Sequence, residues 1–319
     1  MIGKKIAERI GRPDLIDILT NELTGSELTS LLLDVFNQKT KQLSPADLLK
    51  TYQTNRFVKP ADINPLEIRQ LENQTLAIFD QFGFSPVELS PVAPLGSCSV
   101  VATADQNKIL SATRQTEVMA DATNALALHI ADLKRSTQQQ KGQLLRFSTI
   151  HRHLRTPTLP DIPGFRSHFK IACFVTSGRD SGNYQFEKEA LTEQISMMTV
   201  FFRDTLQIDT LRFQLYPRHG YTDPVGFVTT LGNHLHEQLG NVAIDVMADG
   251  INDNNYYKGL QYKMTITLQG QTIDIGDGGF VDWTQQFLQN KKERLLTAGI
   301  GIELLYRLLQ PLRSEGRLA

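Results

Sequence analysis

Three short segments near the C-terminal end contain residues that are well spaced to surround a small ligand. Residues 255–259 read Asn-Tyr-Tyr-Lys-Gly, residues 276–282 read Gly-Asp-Gly-Gly-Phe-Val-Asp, and residues 297–305 read Thr-Ala-Gly-Ile-Gly-Ile-Glu-Leu-Leu. A glycine has no Cβ, so a bound molecule can approach its backbone closely. The pattern predicts ligand-binding turns, with ordinary turn chemistry as the alternative interpretation.

A second group of chemically active side chains lies in the stretch Ile-His-Arg-His-Leu-Arg, which contains Arg152. Arginine can pair with phosphates and stack on purine rings. Side chains alternate along a strand, so Arg152 and Leu154 share one face while the two histidines and Arg155 share the other. We favour the register that turns Arg152 toward a ligand. A shift of one residue would instead present His151 and His153.

Several common catalytic and metal-binding patterns are missing from the sequence. A zinc site could be suggested from three histidines, His219, His234 and His236. However, positions i and i+2 of a helix point to different faces, and the sequence shows no fourth ligand. The two cysteines, Cys98 and Cys173, are far apart and form no metal-type pair. There is neither a phosphate-binding Gly-x-x-x-x-Gly-Lys-Ser/Thr loop nor a nucleophile elbow. We therefore expect no zinc.

The C-terminal segments resemble, in order and spacing, the end of a class II aminoacyl-tRNA synthetase catalytic domain. They are most similar to the histidyl branch and to its paralogues of the ATP phosphoribosyltransferase regulatory-subunit type. Tyr256-Tyr257-Lys258-Gly259 resembles a Tyr-Tyr-Thr-Gly strand, residues 278–282 resemble a Gly-Gly-Arg-Tyr-Asp turn, and residues 299–304 resemble a Gly-x-x-x-Gly-x-Glu-Arg strand-helix. The strand around Arg152, its long loop and the return strand from Phe169 resemble motif 2.

The resemblance implies a role for each matching residue. Arg152 would be the catalytic residue that stabilises the α-phosphate. The substrate would contact Glu117, Arg114, Tyr256, Tyr257, Gly278 and Gly279, with Glu117 and Tyr256 selecting its amine. The nucleotide would contact Arg152, Arg166, His168, Glu303, Gly299 and Gly301, with Glu303 helping to hold Mg²⁺. ATP and Mg²⁺ are the cofactors that the resemblance implies.

Three positions depart from the synthetase pattern. Leu304 stands where motif 3 has the arginine that stacks beneath adenine, and Leu154 stands where motif 2 has a glutamate that reads the adenine amine. Asn252 stands where the histidyl branch has the arginine that polarises the substrate carboxylate. Each change removes a charge-assisted contact. The departures favour a non-catalytic paralogue that binds an amino acid or a related small ligand. The alternative is an ATP-dependent ligase that forms an aminoacyl adenylate and transfers it to tRNA or to another acceptor.

The elements that must position these residues indicate an α+β fold. We expect a six- to seven-stranded antiparallel sheet flanked by helices in residues 61–319, preceded by a helical extension in residues 1–60. Residues 100–104 and 109–112 are predicted to form two strands, joined by a turn at residues 105–108. The proline-bearing residues 84–94 resemble motif 1, which implies a homodimer. Only about fifteen residues follow motif 3, so we expect no anticodon-binding domain.

Composition sets broad limits on function. The chain has 319 residues, of which 40% are apolar and 21% are charged, so a large core is expected. Its formal net charge is −1, so the composition does not indicate a polyanionic partner. Binding of tRNA stays an open alternative, although the sequence contains no dedicated basic domain for it. We find neither a secretory segment nor an apolar run of membrane-spanning length, and we expect a cytoplasmic protein.

Overall fold

The computed structural model describes residues 2–136, 143–157, 166–247 and 255–314. Their helices are α1 (Ile2–Arg9), α2 (Leu15–Asp17), α3 (Gly25–Thr40), α4 (Pro45–Thr54), α5 (Pro65–Gln81), α6 (Ser97–Val100), α7 (Ala122–Ser136), α8 (Gln185–Val200), α9 (Pro224–Gln238), α10 (Trp283–Leu288) and α11 (Ile302–Ser314). No helix in these ranges combines the length and the apolar character needed to cross a membrane.

The strands of the described residues form one large and one small sheet. They are β1 (Ser85–Pro86), β2 (Val92–Pro94), β3 (Ser111–Ala112), β4 (Thr116–Val118), β5 (Leu145–Leu154), β6 (His168–Arg179), β7 (Arg212–Pro217), β8 (Ala243–Val246), β9 (Leu260–Leu268), β10 (Gln271–Val281) and β11 (Glu293–Ile300). The large sheet has the order β1-β5-β6-β11-β10-β9-β7-β8, and the small sheet has the order β2-β4-β3.

The predicted α+β class is confirmed, with eight strands in the large sheet rather than six or seven. The five central pairings, from β5 through to β7, are antiparallel. The short edge strands β1 and β8 instead pair in parallel with β5 and β7. These two-residue and four-residue edges account for the larger strand number.

Local capping signals explain why the N-terminal part is helical. Thr24 and Glu27 form a capping box at the start of α3, and Ser44 and Asp47 form another at the start of α4. Asn64 caps α5, whose first residue is a proline. The division into an extension of residues 1–60 and a core from residue 61 stays a prediction.

Helices cover both faces of the large sheet. On one face, α5, α8, α9 and α11 enclose an apolar core that includes Phe79, Phe174 and Phe201. On the other face, which we call the α7 face, α7 and α10 pack on the sheet through Leu126, Ile130 and Trp283. A side chain of a central strand therefore points either into the four-helix core or toward the α7 face.

The predicted hairpin at residues 100–112 is wrong. Residues 97–100 form the short helix α6, and Thr103 has a φ of 56°, which no strand allows. The hairpin in this region is formed by β3 and β4, with Arg114 and Gln115 at its turn. The carboxylate of Glu117 explains the difference, because it accepts hydrogen bonds from the backbone of residues 96 and 98 and stabilises a helical turn there.

The glycine segments also differ in detail from their predicted conformations. Gly278 and Gly279 lie inside β10 rather than in a turn, and residues 255–259 form an irregular bend before β9 rather than a strand. Both glycines make room for buried rings. A Cβ on Gly278 would lie 2.5 Å from Cζ of Tyr262, and a Cβ on Gly279 would lie 2.6 Å from Cδ1 of Tyr257.

Candidate ligand-binding site

A cavity of about 230 Å³ lies on the α7 face, where the start of α7 meets β5, β6, β10 and β11. Its polar lining residues are Asp121, Thr123, His153, Arg155, Cys173, Tyr256, Tyr257, Asp277 and Thr297. The cavity is smaller than the ~300–1,000 Å³ that is typical of sites for drug-sized ligands. Its volume suits a ligand of the size of a single amino acid.

Asp121 is fixed at the start of α7 by three hydrogen bonds. Its Oδ1 accepts from the backbone N–H of Thr123 at 2.9 Å and from the Thr123 hydroxyl at 2.6 Å. Its Oδ2 accepts from the hydroxyl of Tyr256 at 2.6 Å. The carboxylate therefore caps α7, where the positive end of the helix dipole stabilises its charge.

Asp277 is a second carboxylate in the same cavity. Its Oδ2 accepts from Nε2 of Gln261 at 2.8 Å, and the hydroxyl of Tyr257 also donates to it. The amide oxygen of Gln261 in turn accepts from Nε and Nη2 of the buried Arg218, at 3.1 and 2.6 Å. Burial raises the pKa of Asp277, and the negative charge of Asp121 raises it further. A cation in the cavity would relieve both effects.

His153 is fully buried in the cavity wall and is neutral near pH 7, because burial lowers its pKa to about 4. Its Nε2 accepts a hydrogen bond from the backbone N–H of Ala122 at 2.8 Å. The proton of the neutral ring must therefore be on Nδ1. Among the described residues, Nδ1 has no hydrogen-bond partner of good geometry. The backbone of His151 lies close enough to raise the pKa of the ring, so Nδ1 is a buried donor with at most a weak hydrogen bond.

Arg155 supplies the positive charge of the cavity. Its Nε donates to the carbonyl of Ala120 at 3.3 Å, and its guanidinium lies 5.4 Å from the ring centroid of Phe169. Within the described ranges, its two terminal nitrogens make neither hydrogen bond nor ion pair. A guanidinium with a free pair of N–H groups binds a carboxylate in bidentate fashion.

Backbone rather than side chains forms part of the cavity wall. Gly276 and Gly299 both line the cavity, and Gly299 lies opposite Asp277 in the β10–β11 pairing. A Cβ on Gly276 would lie 2.2 Å from the carbonyl oxygen of Gly299, so this position excludes every other residue. Cys173 also lines the cavity, but burial raises the pKa of its thiol well above the usual value. It is therefore not a thiolate nucleophile.

Arg152, which the sequence predicts to face a ligand, does not line this cavity. The cavity contacts His153 and Arg155, whereas the Arg152 guanidinium points to the opposite face of β5 and lies 3.1 Å from the carboxylate of Glu303. Nη1 of Arg152 also donates to Nδ1 of His168 at 3.0 Å. The side of the strand that carries His153 and Arg155, which is the alternative that we did not favour, is the side that lines this cavity. Neither Arg152 nor Glu303 nor His168 lines the cavity.

Three further predicted residues also lie away from the cavity. Glu117 is fully buried in β4, where its carboxylate accepts from the backbone of Gly96 and Cys98 and from Nε2 of Gln106, at 2.8, 3.1 and 3.0 Å. Arg114 is exposed at the tip of the β3–β4 turn, and Arg166 is exposed ahead of β6. None of the three lines this cavity, and their predicted contacts with a substrate or nucleotide stay predictions.

The structure brings four of the predicted site residues to the cavity. Tyr256, Tyr257, Gly299 and Gly301 line it, whereas Gly278 and Gly279 are next to it in β10 without lining it. Leu304 packs beside Gly301 at the start of α11, with its Cβ 3.2 Å from the position of a Cβ on that glycine. Asn252 lies outside the described residues.

Sequence reasoning missed the charged residues that line the cavity. Asp121 and Thr123 had a usable signal, since an Asp-x-Thr sequence before an apolar helix is a typical cap. Arg155 and His153 followed from the register that we did not favour. Asp277 lies in a glycine-rich segment whose side-chain direction depends on the pairing of β10 with its neighbours, and the sequence alone does not fix that pairing.

Comparison with solved structures identifies the fold. The chain superposes on a histidine–tRNA ligase subunit from Alicyclobacillus acidocaldarius with a TM-score of 0.59 and 10% identity, covering 80% of this chain and 96% of that one. The chain has a class II aminoacyl-tRNA synthetase-like core. An ATP phosphoribosyltransferase regulatory subunit/histidyl-tRNA synthetase from Bacillus halodurans gives a TM-score of 0.58 and 12% identity over 79% of this chain and 83% of that one.

Another synthetase-like neighbour of this core is the apo histidyl-tRNA synthetase of S. aureus, with a TM-score of 0.56 and 13% identity over 80% of this chain and 69% of that one. No protein-family model matches the sequence, and no curated protein sequence matches it significantly. At such low identities the likeness concerns the fold, and the function must be argued from the site itself.

The described cavity residues do not fit ATP and Mg²⁺. A triphosphate needs several cations, but Arg155 is accompanied by two carboxylates, Asp121 and Asp277, which repel phosphate. Arg152 and Glu303 are paired with each other on the other side of the sheet. No group of three or more His, Cys, Asp or Glu side chains in the described residues is arranged to hold a metal ion.

Proposed function

We propose that this synthetase-like protein binds a free amino acid, or a small zwitterion of similar size, and acts as a non-catalytic sensor or regulatory subunit. The observation that carries this proposal is the charge distribution of the cavity. Two carboxylates and one guanidinium face a space of about 230 Å³, while the arginine and glutamate expected to handle ATP are paired with each other elsewhere.

The ligand ammonium group would bind between Asp121 and Asp277. Each carboxylate is held by a tyrosine hydroxyl, so its position is set before the ligand arrives. Repulsion between the two negative charges contributes to the raised pKa of Asp277, and an ammonium group would remove that repulsion. This arrangement selects a ligand that carries a compact positive charge.

The ligand carboxylate would bind the terminal nitrogens of Arg155. His153, which lines the cavity, is a second neutral polar group near this position. The opposite charges of Arg155 and the two aspartates would orient a zwitterion in one direction.

The regulatory part of the proposal is supported by the fold and by the missing adenylation groups. The Bacillus halodurans neighbour is named both as a regulatory subunit and as a synthetase, so this fold is compatible with either role. The competing function, ligation through an aminoacyl adenylate on tRNA or another acceptor, requires ATP to bind. A homodimer through residues 84–94 is also proposed; β1 of this segment forms an open edge of the large sheet.

A thermal-shift and calorimetry screen tests the proposal. The purified full chain is measured with each of the twenty amino acids at 1–10 mM, with and without ATP–Mg²⁺. Saturation at one hundred times Kd would stabilise the protein by about 2.7 kcal/mol, or several degrees in Tm. We expect one amino acid or a small chemically related group to produce this shift, and ATP–Mg²⁺ to produce none.

A cavity variant and a matched control complete this test. Asp277→Asn removes one charge from the cavity and should abolish the amino-acid shift, whereas Asp274→Asn on the same strand, outside the cavity, should retain it. Stabilisation by ATP–Mg²⁺ together with amino-acid-dependent ATP–pyrophosphate exchange would instead establish the ligase.

A further inference from the structure

Exposed apolar side chains are concentrated in the first four helices. Of the seventeen large hydrophobic residues that are exposed in the described ranges, twelve lie within residues 2–58. They are Ile2, Ile6, Ile10, Ile16, Leu31, Val35, Phe36, Leu43, Leu48, Leu49, Tyr52 and Val58. Neither α3 nor α4 buries a single residue. Helices of ten to sixteen residues are only marginally stable without a packed face. We therefore expect α3 and α4 to pack against another surface.

The extension is nevertheless anchored to the core at both ends of α3–α4. Gly25, at the start of α3, packs so closely on the β3–β4 turn that an added Cβ would lie 2.5 Å from Nε2 of Gln115. After α4, Nη1 of Arg56 donates to the hydroxyl of Ser167 at 2.5 Å, and the carbonyl of Lys59 accepts from Nε2 of His168 at 2.6 Å. The apolar side chains between these two contact points are therefore exposed at a fixed position relative to the rest of the chain.

One ridge of α3 carries a row of four side chains that is electrostatically complementary to itself when its direction is reversed. Glu27, Leu31, Val35 and Lys39 follow one another at i, i+4 spacing and lie along one ridge of the helix. All four are exposed, Leu31 by 44% and Val35 by 41%. Read in the opposite direction, the order acidic–apolar–apolar–basic becomes basic–apolar–apolar–acidic, which is its electrostatic complement.

We infer that α3 is a self-association face that binds α3 of a second copy of this chain in antiparallel orientation. A twofold axis beside Leu33 would place Leu31 against Val35 of the partner subunit and Glu27 against Lys39 of the partner subunit. A twofold interface uses the same patch on both copies, so the patch must be complementary to itself. The ridge meets this requirement, because its two ends carry opposite charges and its centre is apolar.

The charges at both ends are available for such pairing. Glu27 uses Oε2 to accept from the backbone and hydroxyl of Thr24, at 2.8 and 2.7 Å, and its Oε1 makes no hydrogen bond within the described residues. Lys39 forms no ion pair in the same ranges. Packing of i±4 ridges is the commonest way for two helices to meet. The interface is small, so its association should depend on concentration.

The test is sedimentation velocity of the full chain over a wide concentration range, with four variants. Leu31→Gln/Val35→Gln keeps good helix formers but removes the apolar centre, and should raise the dissociation constant at least tenfold. Lys39→Glu places like charges opposite each other and should weaken association, most strongly at low salt. Adding Glu27→Gln to Lys39→Glu should restore most of the loss, because glutamine preserves the capping box and removes the repulsion.

The matched control is Leu66→Gln/Val225→Gln, which removes two exposed apolar side chains outside the first four helices and should not change association. Circular dichroism of every variant checks that the helices remain. A wild-type chain that stays monomeric at all concentrations would overturn the inference. So would self-association that is unchanged at every step in the Leu31→Gln/Val35→Gln and Lys39→Glu variants. A dimer through residues 84–94 is insensitive to these variants, and with it present the α3 contact is measured as the further step from dimer to tetramer.

Discussion

The guanidinium of Arg152 lies 3.1 Å from the carboxylate of Glu303, on the side of the sheet that faces α5 and α11. Glu303 is almost completely buried, and it also accepts from Arg307 and from the backbone N–H of Lys170. Arg152 in turn contacts His168, which holds the carbonyl of Lys59 in the N-terminal extension. Arg152 and Glu303, for which the resemblance implies a role in adenylation, thus belong to a chain of contacts that links α11 and β5 to residues 1–60.

Arg152 in β5 and Arg155 just after that strand provide the most direct prediction. Arg152→Gln should lower the free energy of unfolding by about 1–2 kcal/mol, since it removes a charged hydrogen bond from a partly exposed pair, and should leave amino-acid affinity unchanged. Arg155→Gln, three residues further along the chain, should weaken binding more than tenfold while the free energy of unfolding stays nearly constant. Urea unfolding and calorimetry measure both quantities. Loss of binding in Arg152→Gln alone would contradict the proposed site.

Asp277→Asn should stabilise the protein at neutral pH while it abolishes ligand binding. Burial raises the pKa of Asp277 above its unfolded value, so its contribution to stability is present at low pH and is lost as pH rises through the folded pKa. Asparagine removes that loss, and we expect a gain of about 0.5–2 kcal/mol at pH 7. The gain should vanish near pH 3, and denaturant melts at the two pH values would reveal whether it does.

Glu117→Ala should destabilise the protein without changing the affinity of the molecules that remain folded. The change leaves two backbone N–H groups and one amide without their buried acceptor, which costs about 3 kcal/mol or more. Glu117→Gln keeps one acceptor oxygen and should cost less. Calorimetric titration of both variants at low temperature separates folding from binding; a selective loss of affinity would support the ligand role that the resemblance implied.

The pH dependence of stability should report on His153. Its folded pKa, about 4, lies below the unfolded value near 6.5, so the unfolded chain binds an extra proton between these values. Stability should therefore fall as pH decreases from about 6.5 to 4, by as much as about 1.4 kcal/mol per pH unit from this residue.

A histidine variant provides the check on this slope. His153→Gln, whose amide oxygen can still accept from Ala122, should reduce the slope of unfolding free energy against pH. The exposed His236→Gln serves as the matched control and should leave the slope unchanged. Equal slopes for the wild type and His153→Gln would show that the buried imidazole is not the responsible group.

The helices could be predicted from the sequence because their signals are local. Thr24 with Glu27, Ser44 with Asp47, and Asn64 before a proline each lie within three residues of the helix start that they stabilise. The antiparallel character of the central sheet followed from the resemblance. The helix α6 could not be anticipated, since its stability depends on Glu117, which lies 19 to 21 residues further along the chain.

The direction of the β5 side chains could not be read from the sequence for a physical reason. Both faces of this strand are covered: Ile150 packs against the four-helix core, and Phe147 packs on the α7 face. When both faces are apolar, alternation no longer distinguishes inside from outside, and the register depends on the neighbouring strands. The choice between Arg152 and Arg155 therefore required the assembled sheet.

The pairing of β5 with β6 over ten residues also limits what single substitutions could add to this cavity. An arginine introduced at position 304 would not bring Arg152 to the cavity, because Arg152 would still project away from it. Sliding β5 by one position would turn Arg152 around, but it would also move Phe147 and Ile150 out of their two cores. Within this scaffold, placing Arg152 in the cavity would thus require a change of strand register and the repacking of both layers.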